Sequence, residues 1–130
     1  MSILTDVLEH PQLTPTQLSA YIDEYELIQP YDCMIDTARA VVELLAQNYK
    51  QAEKWILSAL KRNPLAYQNH LYCALIYKAR GKYLGSVKEC HIAVRLATQS
   101  VAPPSWHNEF QQISDILDEV ASKLSQKELV

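Results

Sequence analysis

The sequence predicts an all-α fold of about seven helices arranged as a repeat, on three observations. First, residues 48–64 recur 34 positions later at 82–98: Tyr49 meets Tyr83, Lys54 meets Lys88 and Ala59 meets Ala93. Ala52 meets Ser86, Ile56 meets Cys90, and Ala40 meets Ala74 upstream. A fixed period with small residues at fixed places marks a repeat architecture. Second, apolar residues recur at helical spacing through nearly the whole chain. Third, only two of 130 residues are glycine, which suits helices joined by short turns.

The elements follow in order. Residues 2–9 form a short amphipathic helix through Ile3, Leu4, Val7 and Leu8, and His10-Pro11 ends it. Thr14-Pro15 reads as an N-cap followed by a first-turn proline, opening a helix over 15–29 with Leu18, Tyr21, Ile22, Tyr25 and Ile28 on one stripe. Pro30 and Ile22 lie 34 before Pro64 and Ile56, so this helix is the second half of a degenerate first repeat. Asp32 is placed to cap a helix over 33–47 carrying Ile35, Ala38, Val42 and Leu45. Tyr49 starts the return helix, with Ala52, Trp55, Ile56, Ala59 and Leu60 inward, and Asn63-Pro64 closes it. Residues 66–80 form the next outward helix, Gly81 makes the turn, and 83–97 return. Ala102-Pro103-Pro104 bars helix, and Ser105 caps a last one over 105–127 with the stripe Trp106, Phe110, Ile113, Leu117, Val120 and Leu124. Its polar opposite face suits a terminal cap.

Composition and charge narrow the function classes. No apolar run approaches the roughly 20 residues that cross a bilayer, and Met1–Asp6 lacks the features of a signal peptide. Three widely spaced cysteines, Cys33, Cys73 and Cys90, argue against a disulfide framework and for a reducing compartment, the cytoplasm. The net charge of −3 conceals segregation: one Lys/Arg against eight Asp/Glu over 1–48, nine against two over 49–100, and two against five over 101–130. The simple reading is solvated helix faces. The sharper one is a basic middle that meets an acidic partner or the acidic end of a second copy, which leaves homo-oligomers open.

At these residues the chain resembles the tetratricopeptide repeat family, whose helix hairpin has the same 34-residue period. The fuller unit is 67–98, with Ala74, Tyr77, Gly81, Tyr83, Ser86 and Ala93 at the family's small, aromatic, glycine, aromatic, small and alanine places. The other is 33–64, with Ala40, Tyr49, Ala52, Ala59 and Pro64. His70, Cys90 and Glu43 depart from the pattern, standing where the family often has Trp, an aromatic residue and Tyr. The resemblance implies a single α-α superhelical domain: degenerate helices over 1–30, two clear repeats and a C-terminal capping helix. It also implies a concave groove lined by Met34, Thr37, Ala38, Val41 and Leu45, then by Gln68, Leu71, Tyr72, Leu75 and Ala79, with Lys78 at the rim. Some members clamp a C-terminal carboxylate there with Lys, Asn and Arg. The matching places hold Met34, Ala38, Gln68 and Tyr72, so that clamp is absent. The groove is apolar with one tyrosine anchor, suiting an amphipathic helix or extended apolar peptide of a protein partner, unless a flanking helix (2–9 or 105–127) fills it.

The expected function is therefore a protein-binding adaptor or chaperone-like module without enzymatic activity. The alternatives are the repeat segment of a larger enzyme, such as a glycosyltransferase, and a secretion-type chaperone. No cofactor is expected. His70, Cys73 and Cys90 gather at one helix pair, but their spacing matches no zinc signature, and a Cys–His nucleophile lacks an orienting third group. No glycine-rich phosphate loop exists. The cluster Lys78, Arg80, Lys82 and Lys88 beside Tyr77 and Tyr83 is outweighed as a nucleic-acid site by the net negative charge and the packing role of those tyrosines.

Overall fold

Local signals set each helix boundary in the computed structural model, which describes residues 3–9, 12–99 and, beyond them, 111, 115, 118, 119 and 122. Among the described residues there are six helices and no strand: α1 (Ile3–Leu8), α2 (Pro15–Ile28), α3 (Ile35–Leu45), α4 (Tyr49–Arg62), α5 (Tyr67–Ala79) and α6 (Tyr83–Gln99). The count is six against about seven expected. The expected seventh helix, over 105–127, lies largely outside the described residues; the five described there, from Gln111 to Ser122, are helical and exposed.

Thr14 begins α2 with a capping box. Its hydroxyl accepts from the Gln17 amide at 3.2 Å, and its own amide donates to the Gln17 side-chain oxygen at 2.9 Å. Asp32 does not cap α3, whose N-cap is Met34. Instead its carboxylate accepts from the Met34 amide at 2.9 Å and from the Tyr25 hydroxyl, pinning the link to the end of α2.

The 34-residue echo is reproduced hydrogen bond by hydrogen bond. The helices α2, α4 and α6 start at 15, 49 and 83. The turns that open α4 and α6 are the same structure. The Asn48 amide donates to the Glu43 carbonyl at 2.9 Å, and the Lys82 amide donates to the Tyr77 carbonyl at 2.8 Å. Gln47 and Gly81 both take left-handed backbone, at φ 62° and 77°, as a C-terminal αL turn requires. Glycine adopts this conformation freely, whereas glutamine carries a strain of about 1–2 kcal/mol. One turn into each of these helices, the Leu18, Ala52 and Ser86 amides donate to the carbonyls of 14, 48 and 82 at 2.9, 2.9 and 3.0 Å.

The chain divides into two compact units, residues 1–63 and 64–130. In the first, α3 is the central element, packed by α1, α2 and α4. That explains why seven of its eleven residues are buried, including the charged Asp36. Asp36 accepts from the Ser58 hydroxyl at 2.7 Å and meets the Arg62 guanidinium at 3.4 Å, both on α4. The core also takes Ile3, Leu4 and Val7 from α1, Leu18 and Ile22 from α2, and Ala52, Ile56 and Ala59 from α4. Each fully buried isoleucine contributes roughly 1.5–3 kcal/mol. Tyr21 and Ile28, expected on the packed stripe of α2, are exposed, as is Leu45 on α3. Among the described helices α2 packs on α1 and α3 alone, so its buried stripe narrows to Leu18 and Ile22.

In the second unit α5 packs on α6 around Leu71, Ala74, Cys90 and Ala93. Small residues let the two backbones approach. Ser86 is fully buried, and its hydroxyl donates to the Ala74 carbonyl at 2.8 Å, so the one polar residue at a small position is satisfied.

Candidate functional site

A concavity in the first unit lies among α2, α3 and the start of α4. It is a cleft of about 430 Å³ lined by Pro15, Thr16, Ser19, Ala20 and Asp23 of α2, by Val42, Glu43 and Ala46, and by the α4 cap Asn48. A second pocket of about 140 Å³ shares Ser19, Val42 and Glu43 with it and reaches Ile22, Arg39 and Trp55. Arg39 organises this region. Its guanidinium lies 2.9 Å from Asp23 and 3.3 Å from Glu26, and 5.4 Å from the Trp55 ring centroid. Stacking on the indole holds the Arg39 side chain at 15% exposure and contributes on the order of 1 kcal/mol. Asp23 is largely exposed, so its ion pair adds little more. Glu43 accepts from the Asn48 side-chain amide at 3.0 Å. The cleft is lined by two carboxylates, Asp23 and Glu43, one tied to Arg39 and the other to the Asn48 amide. It contains no nucleophile–base pair.

The groove positions expected from the sequence fall in both units. In the first, Thr37, Ala38 and Val41 are buried within α3's packing against its neighbours, Met34 is half-buried and Leu45 is exposed. α1 is one of the helices packed on α3, through Ile3, Leu4 and Val7. These align by 34 with Thr37, Ala38 and Val41, so a flanking helix does cover part of α3. In the second unit Leu71 is core, Gln68, Tyr72 and Leu75 are half-buried, and Ala79 is exposed. Lys78 pairs with Glu119 at 2.9 Å.

His70, Cys73 and Cys90 are buried at the α5–α6 pair, where their spacing put them. The two ring nitrogens of His70 have other partners: Nδ1 lies 2.6 Å from the Glu89 carboxylate and Nε2 lies 2.7 Å from the Pro64 carbonyl. Among the described residues no group of three or more His, Cys, Asp or Glu is arranged to hold a metal ion. Burial first, then the adjacent Glu89 charge, pushes the Cys90 thiol up to about 11. Above the ordinary thiol value of 9.0 the unfolded chain ionises while folded Cys90 keeps its proton. Stability from this residue is therefore whole below pH 9.0 and declines as the pH rises toward about 11. In native protein, a thiol reagent is expected to modify exposed Cys33 first and Cys73 and Cys90 only as the fold opens. Equal rates for all three would contradict the buried assignment.

No protein-family model matches the chain, and no curated protein is significantly similar to it.

Proposed function

We propose that this chain is a helical-repeat protein-binding module of the tetratricopeptide type, acting as an adaptor or chaperone-like protein in a reducing compartment, without chemistry of its own. One observation carries this reading: the 34-residue recurrence extends from the sequence to helix starts, turn backbone and cap hydrogen bonds. Residues that recur are consumed by packing, which leaves recognition to surface positions that differ between repeats. At the groove positions, those accessible to a partner are Leu45 and Ala79, with Met34, Gln68, Tyr72, Leu75 and Lys78 in part. Tyrosine and leucine flanked by polar residues suit an apolar or amphipathic peptide.

The test is quantitative capture from lysate with wild type, Leu45→Asp and Tyr72→Ala, each checked for native helicity by circular dichroism. Loss of an anchor is expected to reduce capture of a discrete partner set by about tenfold or more. A captured set indifferent to both substitutions would remove the groove assignment.

A further inference from the structure

The outer faces of α2 and α4 have the same geometry and opposite charge. Both helices have 14 residues, and their starts are 34 apart. On α2 the positions i, i+4, i+7 and i+11 carry Thr16, Ala20, Asp23 and Leu27, all exposed, with exposed Glu24 and Ile28 alongside. On α4 the same positions carry Lys50, Lys54, Leu57 and Lys61, again all exposed. α2 contains no lysine or arginine. Within the fold Asp23 pairs with Arg39, and the rest of both faces stays exposed. Leu27 is 85% and Ile28 is 76% exposed, and Leu57 lies open among lysines. Glu24, Lys50, Lys54 and Lys61 form no ion pair among the described residues. At the positions where α2 has Leu27-Ile28, α4 has Lys61-Arg62, so nothing in the repeat demands apolar residues there.

We propose that the α2 face of one molecule docks on the α4 face of a second copy. Leucines on both sides supply an apolar centre. Glu24, beside the Arg39-paired Asp23, meets the lysines, whose methylene stems extend the apolar contact. The two faces differ, so the contact is heterologous, and each added copy leaves one face of each kind free. Growth is head to tail, not closure into a symmetric dimer. With few apolar side chains per face, the contact is smaller than a stable dimer interface and the affinity is micromolar or weaker.

Sedimentation velocity on the full chain, from about 10 to 500 µM protein, reads this directly. The weight-average mass is expected to rise with concentration. Raising salt from about 20 to 500 mM is expected to weaken association about tenfold or more. Leu27→Asp/Ile28→Asp removes one face and Lys54→Glu/Lys61→Glu the other, and each variant alone is expected to stay monomeric. Mixed, they are expected to give a one-to-one dimer that grows no further, because each keeps the face the other has lost. A wild type monomeric throughout, association insensitive to salt or to either variant, or a mixture that stays monomeric would each overturn the proposal. If a double variant lost helicity, Glu24→Lys and Lys54→Glu at these exposed positions would replace it in the same mixing experiment.

Discussion

Replacing His70 with alanine is expected to cost about 1–3 kcal/mol of stability, the penalty for leaving its hydrogen-bond partners in the interior unmet. His70 and Glu89 side chains are 11% and 14% exposed, and they meet at 2.6 Å. The second ring nitrogen faces a carbonyl oxygen, which only accepts, so Nε2 carries a hydrogen and donates to Pro64. One further proton lies between Nδ1 and Glu89. The imidazole thus ties the start of the second unit, through Pro64, to α6. Alanine would leave the partly buried Glu89 carboxyl and the Pro64 carbonyl without their hydrogen-bond partner. A double-mutant cycle separates this from simple loss of volume. Glu89→Ala added to His70→Ala removes the stranded carboxyl, so the double variant should be no less stable than His70→Ala alone. Urea melts followed by circular dichroism, with unchanged slopes, would measure it. Additive costs would show that the two side chains do not act as a pair.

The regular part of this molecule was legible because packing repeats. Thr14-Pro15, Tyr49 and Tyr83 place three helix starts correctly, and Gly81 marks a left-handed turn. Gln47 occupies the same turn and gave no sign of it, because only glycine advertises φ > 0. Helical spacing marked Tyr21 and Ile28 as buried, yet spacing gives the direction of a stripe and not its width. Width depends on how many helices pack against it, and α2 has two. The His70–Glu89 and Asp36–Ser58 bonds join residues 19 and 22 apart across helix pairs, which periodicity does not resolve. Glu43 and Trp55 each stood out in the sequence, Glu43 as a departure from the repeat pattern and Trp55 as an inward residue of the return helix. Their convergence beside Arg39 required the packing of three helices.

Gly85→Ala is expected to destabilise the protein by about 1–3 kcal/mol, although the same change in an open helix would stabilise it by about 1 kcal/mol. Gly85 lies in the first turn of α6, and a Cβ there would sit 2.9 Å from Cδ2 and 3.2 Å from Cε2 of Tyr77. These are ring atoms close to the α5 backbone, not the free end of a flexible chain. Either the ring rotates off its packed position or the two helices move apart. The ring is also held from outside, with the Lys82 ammonium 5.5 Å from its centroid. At the equivalent place in the preceding hairpin, Glu43 replaces the tyrosine and Gln51 the glycine, so ring and glycine are exchanged together. This covariation inside one chain predicts the sign of the rescue. In a Tyr77→Ala background the space above residue 85 is empty, and Gly85→Ala should then raise stability by about 1 kcal/mol through helix propensity. Thermal or urea denaturation of the four proteins gives the coupling directly. If Gly85→Ala were destabilising by the same amount in both backgrounds, the tyrosine would not be what excludes a side chain at 85.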